Sequence, residues 1–287
     1  MKVMTVGKQG QLGTTLMQTV PSSVSSIFLD LPAFDVTDPE AVADVIEREK
    51  PEVIINASAY TAVDKSEEEA DLAYRVNATG PKNLAGAAKK RGCRLIHIST
   101  DYVFDGKAYT PYAPDHPCRP LGVYGKSKRE GEIHVEKILD DFLTIRTAWL
   151  YSAIGNNFVL TMLRLMRERE EIKVVADQVG SPTWAFTLAK AIWAAAENRP
   201  LSGYYHWSDA GVASWYDFAV AIQEEALGLG LLDKKVPVRP ITTAEFPTKT
   251  TRPPYSVLGC RKSWSDFGVG PVHWRVALRQ MLKGMKK

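Results

Sequence analysis

Short unbroken apolar runs recur through the first half of the chain. Lys2-Val3-Met4-Thr5-Val6 stops at Gly7; Ile27-Phe28-Leu29-Asp30 follows, then Val53-Ile54-Ile55-Asn56, Arg94 to Ile98 and Phe142 to Ile145. Runs this short, apolar at successive rather than alternate positions, predict strands buried on both faces. Between them the spacing becomes helical: Thr14 to Val20, Ala41 to Glu49 with Asp38-Pro39 as its start, Ser66 to Arg91 closed by Gly92, and Gly125 to Ile138. Strands alternating with helices predict an α/β fold, a doubly wound parallel sheet of the Rossmann type. Right-handed crossovers then place helices on both faces.

After Trp149 this rhythm breaks. Asn157 to Arg169 is amphipathic, with Phe158, Met162, Leu165 and Met166 on one side, and Ala185 to Glu197 and Trp215 to Leu227 read as further helices. The loops between them are rich in Gly, Pro, Ser and aromatics, and Pro237 to Ile241 reads as a short strand that returns to a sheet. Trp193, Trp215 and Trp274 fall on apolar helix faces and read as core. The expected division is a dinucleotide-binding Rossmann domain over 1–150 and a smaller, mostly helical substrate domain over 151–287.

Composition narrows the function by exclusion. The 287 residues, 45% hydrophobic, suffice for one large core or two smaller ones. Lys and Arg total 36 against 33 Asp and Glu, interspersed, so no nucleic-acid partner is expected. Cys93, Cys118 and Cys260 are odd in number and far apart, as reduced thiols of a cytoplasmic protein would be. The five histidines have no metal-ligand spacing, so no metal is expected. A first strand beginning at Lys2 leaves no room for a signal peptide, and no apolar run is long enough for a membrane span.

The chemistry sits at the ends of the predicted strands. Gly7-Lys8-Gln9-Gly10-Gln11-Leu12-Gly13 joins the first strand to the first helix with G-x-x-G-x-x-G spacing. Such glycines let backbone approach a pyrophosphate at a helix N-terminus. Asp30 lies where an acid would hold the adenosine ribose, with Asp35 as the competing candidate. An acid there favours NADH, whereas Lys8 could help hold a 2′-phosphate, so the cofactor is NADPH or NADH. Asn56-Ala57-Ser58-Ala59-Tyr60-Thr61 and Ser99-Thr100-Asp101-Tyr102-Val103-Phe104-Asp105-Gly106 follow the third and fourth strands, at the sheet edge where ligands bind. Tyr124-Gly125-Lys126-Ser127-Lys128 opens a helix and puts Tyr124 and Lys128 on one face.

Reducing a carbonyl needs a hydride donor and an acid for the developing alkoxide. A phenol of pKa about 10 must become more acidic to work efficiently near neutrality, and a neighbouring ammonium does this. Tyr124 is thus the candidate proton donor, Lys128 its ammonium and a holder of the nicotinamide ribose, and Thr100 the hydroxyl that orients the carbonyl. In the second half, Trp149 could stack on a sugar or base, Asn157, Gln178 and Thr183 could hydrogen-bond the substrate, and Arg252 could pair with a diphosphate. Core packing, loop capping and an ordinary surface arginine are the competing readings of these residues.

Together these motifs resemble the extended short-chain dehydrogenase/reductases, and within them the dTDP-4-dehydrorhamnose reductase family. The likeness runs through GxxGQLG (Gly7 to Gly13), NASAYTAVDKSE (Asn56 to Glu67), VNATG (Val76 to Gly80), STDYVFDG (Ser99 to Gly106) and YGKSK (Tyr124 to Lys128). It continues through RTAWLY (Arg146 to Tyr151), NNF (Asn156 to Phe158), DQVGSPT (Asp177 to Thr183) and Arg252-Pro253 with Ser256 and Leu258. The resemblance implies reduction of the C4 ketone of dTDP-4-dehydro-L-rhamnose to dTDP-L-rhamnose. It implies that Gly10, Gln11, Leu12, Asp30, Asp35, Val36, Ala59, Tyr60 and Thr61 line the cofactor and that Tyr124 donates the proton. It further implies that Thr100 tunes that acid, and that Thr100, Asp101 and Trp149 touch the sugar nucleotide.

Two stretches depart from the family pattern. Thr14-Thr15-Leu16 lacks the glutamate through which some members bridge a dimer with magnesium, so a monomer or weak homodimer is expected. Tyr112-Ala113-Pro114-Asp115 lacks the usual acidic residue. Two alternatives stay open: a reductase of another nucleotide-linked 4-keto-6-deoxy sugar, and a regulatory subunit resembling the methionine adenosyltransferase β subunit.

Overall fold

The computed structural model describes residues 1–198 and 200–285. Its first half alternates as the periodicity predicts: β1 (Lys2–Val6), α1 (Gln11–Gln18), β2 (Ser25–Leu29), α2 (Pro39–Glu49), β3 (Val53–Asn56), α3 (Ala70–Tyr74), α4 (Gly80–Arg91), β4 (Arg94–Thr100), α5 (Val123–Ile138) and β5 (Phe142–Thr147). The punctuation residues act as expected. Asp38 caps α2 by accepting from the amides of Glu40 (2.9 Å) and Ala41 (3.1 Å), and Gly92 closes α4 in the left-handed region at φ +70°.

The long helix predicted over Ser66 to Arg91 is broken. A short 3-10 turn at Lys65–Glu67 precedes α3, and a π turn at Arg75–Thr79 separates α3 from α4. Pro81 supplies the reason. It has no N–H to give the Asn77 carbonyl, so the regular i to i−4 ladder cannot pass this point. The wider turn leaves Asn77, fully buried, with its side chain free to bond outside the helix.

The second half continues with β6 (Leu150–Tyr151), α6 (Phe158–Glu168), β7 (Ile172–Val175), β8 (Val179–Gly180), β9 (Thr183–Trp184), α7 (Ala185–Glu197) and β10 (Gly203–Trp207). It ends with β11 (Ala213–Ser214), α8 (Trp215–Gly228), β12 (Val238–Ile241), α9 (Arg261–Asp266) and α10 (Trp274–Met285). The central sheet has six strands in the order β2-β1-β3-β4-β5-β10, all parallel. Its sixth strand therefore comes from beyond residue 150, and α7 packs beside α1 on one face. Arg94, at the start of β4, donates to the carbonyls of Ala195 (2.9 Å), Asn198 (3.2 Å) and Leu201, fastening the end of α7 to the sheet. The strand at 238–241 pairs with β7 in a separate two-stranded ladder.

Apolar side chains fill four regions, the smallest of them around Phe104, Tyr112 and Leu258. Leu12, Leu16, Leu188 and Ile192 cover one sheet face, and Val42, Ile46, Leu84 and Val135 the other. Val159, Leu163, Phe218 and Leu278 form the centre of the helical lobe. The chain passes from β2 back across β1 to β3, so the order of connection reverses between β1 and β3. That reversal opens a crevice at the carboxyl ends of the strands.

Candidate active site

The crevice at the switch point is a cavity of about 320 Å³. Among the sequence-predicted cofactor residues, Gly7, Gly10, Asp30, Asp35, Val36, Ala59 and Tyr60 line it, beside Phe34, Ser58 and Leu72. Gly7 has φ +90°, and a Cβ there would lie 2.6 Å from the Ser58 amide nitrogen, so no larger residue fits where β1 turns against β3. The N-cap of α1 is Gly10, which offers no side-chain bond to the first-turn amides, and that turn carries no acid. Those amides are therefore available to an anion on the positive end of the helix dipole. Cavity, bare helix end and paired acids together fit a dinucleotide.

Not every predicted cofactor residue lines this cavity. Leu12 is 5% exposed in the core, and Gln11, Gly13 and Thr61 do not line the cavity. Asp30 already accepts from the amides of Gln9 (2.8 Å) and Leu31 (2.9 Å), and Asp35 from that of Thr37 (2.8 Å), so both acids also brace their own loops.

Asn77 links this cavity to α5. Its Oδ1 accepts from the Tyr60 amide at 2.9 Å, and its Nδ2 donates to the Tyr60 carbonyl and the Ser127 hydroxyl, each at 3.1 Å. The π turn makes this bridge possible. Ser127 stands between Tyr124 and Lys128, so the loop at the cavity and α5 share one buried amide.

Thr100, Tyr124 and Lys128 converge as predicted. Thr100 ends β4, and its hydroxyl accepts from the Tyr102 amide (3.2 Å) and donates to Asp101 Oδ1 (3.0 Å). Tyr124 sits in the first turn of α5, edge-on to the Tyr102 ring with centroids 5.5 Å apart. The Tyr124 phenol shifts upward, opposite to the expected acidification. Burial pushes the Tyr124 phenol up to about 12, a hydrogen bond with Thr100 lowers it in part, and the Asp101 charge raises it. Lys128 is 2% exposed and donates from Nζ to the Ile98 carbonyl at 2.7 Å. Burial lowers its ammonium to about 8, while the Glu132 carboxylate pulls it up. A protonated phenol is the form that an acid must have before carbonyl reduction.

Behind this group lies a polar cluster centred on the buried Glu132, Arg146 and His206. Glu132, one turn beyond Lys128, receives a two-pronged bond from Arg146 Nε (2.8 Å) and Nη2 (2.9 Å), and a further bond from Arg129 (2.7 Å). Arg146 Nη1 also donates to the Pro114 carbonyl (2.9 Å) and faces His206 Nε2 (3.4 Å), while His206 Nδ1 donates to the Tyr112 carbonyl (3.0 Å). The Tyr112-to-Asp115 stretch, which departs from the family pattern, is thus held by its backbone carbonyls.

On the opposite rim, Asp101 is 2% exposed. Burial raises its carboxyl to about 6 against the pull of hydrogen bonds with Ser256 and Thr100. Trp149 has a left-handed backbone, φ +46°, an uncommon and strained state for a bulky residue. One face of its indole stacks on Trp215, with centroids 3.5 Å apart and planes 5° from parallel. Gly180 covers the ring from elsewhere, since a Cβ there would stand 2.4 Å from Cε2. The stack leaves the ring edges, rather than the Trp215-covered face, for a ligand. Trp215, which spacing alone reads as core, is half-buried and completes this platform.

Four other candidates have partners within the protein. Asn157 caps α6 by accepting from the Leu160 amide (3.1 Å) and donates to Gln11, Ser152 and Ile154. Gln178 donates to the Thr243 hydroxyl (3.0 Å), and Thr183 to the Ser181 carbonyl (3.3 Å). Arg252 pairs with Asp64 at 2.9 Å. Sequence reasoning missed Asn77, Glu132 and Ser256 as parts of the site. The first was within reach, because a proline four residues after a buried Asn marks a break in the helix. Among the described residues, no group of three or more His, Cys, Asp or Glu side chains is gathered for a metal ion.

Comparison with known proteins follows the same geometry. The family model described as "RmlD substrate binding domain" matches residues 1–287. A dTDP-4-dehydrorhamnose reductase of Aggregatibacter actinomycetemcomitans is 39% identical, covering 98% of each chain. The spore coat polysaccharide biosynthesis protein SpsK of Bacillus subtilis is 41% identical, covering 98% of this chain and 97% of its own. The crystal structure of a Bacillus anthracis dTDP-4-dehydrorhamnose reductase in complex with NADP superposes with TM-score 0.92 at 38% identity, over 98% of both chains.

Proposed function

The chain belongs to the RmlD substrate-binding-domain family, and from that premise we propose that it reduces the C4 ketone of dTDP-4-dehydro-L-rhamnose to dTDP-L-rhamnose with NADPH. The observation that carries this reading is the Thr100–Tyr124–Lys128 group at the open end of β4, beside a cavity that fits a dinucleotide. Bound NADPH supplies the hydride. The protein's part begins with the ketone oxygen, which gains negative charge as the carbonyl carbon is reduced. Tyr124, held protonated by burial, gives its proton to that oxygen, and the Thr100 hydroxyl orients both groups. Lys128 would hold the nicotinamide ribose, with its charge sustained by Glu132.

The cofactor residues are Gly7, Gly10, Asp30, Asp35, Val36, Ala59 and Tyr60 through the cavity, with backbone amides from Gln11, Leu12 and Gly13 for the phosphates. Asp101 and the edge of Trp149 serve the sugar nucleotide. Residues 1–150 act as the dinucleotide-binding unit, with α7 and β10 built into it, and the rest of 151–287 as the substrate unit. No helix of the described residues is long and apolar enough to cross a membrane, and we assign the activity to the cytoplasm, in a monomer or weak homodimer.

The test follows reduced-nicotinamide absorbance with purified protein, NADPH or NADH, and dTDP-4-dehydro-L-rhamnose. Oxidation with dTDP-L-rhamnose as product is expected. Binding of cofactor without consumption would overturn the assignment, pointing to another keto sugar or to a regulatory subunit.

A further inference from the structure

One side chain of the glycine loop reaches the sugar-facing half of the molecule. Gln11 is the first residue of α1, at the helix end whose amides await an anion. Its carboxamide crosses to the loop that follows β6. There Oε1 accepts from the Ser152 hydroxyl at 3.0 Å and from Asn157 Nδ2 at 2.9 Å, while Nε2 donates to the Asn156 carbonyl at 3.4 Å. Gly155, at φ +74°, packs on the same side chain, and a Cβ there would stand 3.0 Å from Gln11 Cγ.

The gripped loop is itself tightly made. The Ser152 hydroxyl, whose single hydrogen is shared with Gln11, also lies 2.7 Å from the Ile154 carbonyl, and the two Asn157 Nδ2 hydrogens are shared among Gln11 and the carbonyls of Ser152 (2.9 Å) and Ile154 (3.2 Å). Asn157 Oδ1 meanwhile caps α6. A displacement of the loop therefore moves the start of α6 and the end of β6, directly after Trp149. Gln11 is thus fixed at one end to the phosphate-facing turn and at the other to the segment that carries the aromatic platform.

We propose that Gln11 is a positioning residue that makes nucleotide-sugar binding depend on the state of the dinucleotide loop. The inference rests on the functional reading above, for it takes α1 as the dinucleotide end and the Trp149 side as the sugar-nucleotide end. The physical argument is one of linkage. A ligand that orders the first turn of α1 also orders whatever that turn holds, and the second ligand then binds to a loop already in place. Coupling of this kind is reciprocal. A side chain in the cofactor's own loop would therefore show its effect on the other ligand.

The experiment uses the full chain, its Gln11→Met, Ser152→Ala and double variants, and NADP+ and dTDP as probes, titrated calorimetrically each alone and each with the other present. Melting curves check that the variants fold, and Gln11→Met keeps the length of the side chain. In the parent, NADP+ should tighten dTDP binding by about tenfold, within the usual range of coupling. In both Gln11→Met and Ser152→Ala that enhancement should vanish, and in Ser152→Ala, which lies outside the cofactor's contacts, NADP+ alone should bind within about threefold of the parent, with the KM for the sugar raised and kcat little changed. Adding Ser152→Ala to Gln11→Met should change nothing more, since both break one connection. A tenfold loss of NADP+ affinity with coupling intact would make Gln11 a cofactor contact only and overturn the proposal. So would a parent without coupling. If the parent couples the two ligands but does not reduce dTDP-4-dehydro-L-rhamnose, the substrate assignment fails and the role of Gln11 stands.

Discussion

The two sides of the reaction cleft are held by opposite means. Beneath Lys128 and Tyr124, the Glu132–Arg146 pair is sealed from water, with side-chain exposures of 0% and 2%, and is bonded by a fixed guanidinium fork. Across the cleft, the strap at 249–252 is tied to the turn after β3 by Lys249–Glu68, with exposures of 61% and 57%, and by the half-buried Arg252–Asp64 pair. Charges in a dry interior keep their geometry because losing a partner strands the other; charges in water exchange partners at little cost. In the reaction proposed above, proton delivery asks for a fixed phenol, which the buried pair favours, whereas the water-exposed pairs of the strap impose no such rigidity.

Four measurements would break or sharpen that contrast. The largest effect is expected from Tyr124→Phe, which should lower kcat by about 10² to 10⁴ while NADPH still binds, as loss of a general acid does; single-turnover rates near those of the parent would remove Tyr124 from the mechanism. Next, Arg146→Leu should cost about 3–5 kcal/mol in denaturant unfolding, because it leaves Glu132 in the interior with one partner fewer. A cost as small as that of a surface pair would mean that the interior cluster is not the rigid side.

A smaller effect, with a pH signature, is expected at Asp209. It is 2% exposed, accepts from the Trp184 amide at 2.9 Å, and its carboxyl is pushed up by burial to about 7. A folded-state pKa above the unfolded value means that the protein holds this proton more tightly when folded, so stability falls as pH climbs from about 4 through 7. Asp209→Asn should therefore stabilise at pH 8, by about 1–3 kcal/mol, and change little at pH 4. Equal shifts at both pH values would show that the carboxyl does not titrate in this range. The least effect belongs to Lys249→Ala, below about 1 kcal/mol and erased by roughly 1 M salt. A larger, salt-independent loss would make the strap as rigid as the interior.

The legible and illegible parts of this molecule divide by range. Five strands, the Asp38 cap and the Gly92 stop depend on neighbours within a few residues, so the sequence pattern carries them. Thr100, Tyr124 and Lys128 are also placed by it, because strand ends meet at one edge of a parallel sheet. The pairing of Gln11 with Asn157, across 146 positions, has no local signature. Neither has the stacking of Trp215 on Trp149, where an apolar helical position and a platform position look alike in the chain. The upward shift of Tyr124, opposite to the acidification expected from Lys128, has a similar origin. Four residues of helical spacing bring the two near each other, but only the fold reveals that the ammonium also bonds the Ile98 carbonyl and that burial raises the phenol.

The return of β10 to the sheet bears on how the chain is made. As it leaves the ribosome, the first 150 residues contain every strand of the sheet but the outermost, so the edge of β5 stays unpaired, and α1 lacks the cover of α7, until residue 207 has emerged. An open parallel edge is a template for pairing with another chain. Synthesis therefore passes through an interval in which the nascent protein is prone to stick, and an excised 1–150 fragment should aggregate where a fragment ending after Trp207 does so less. Turbidity of the two fragments at equal concentration measures the difference.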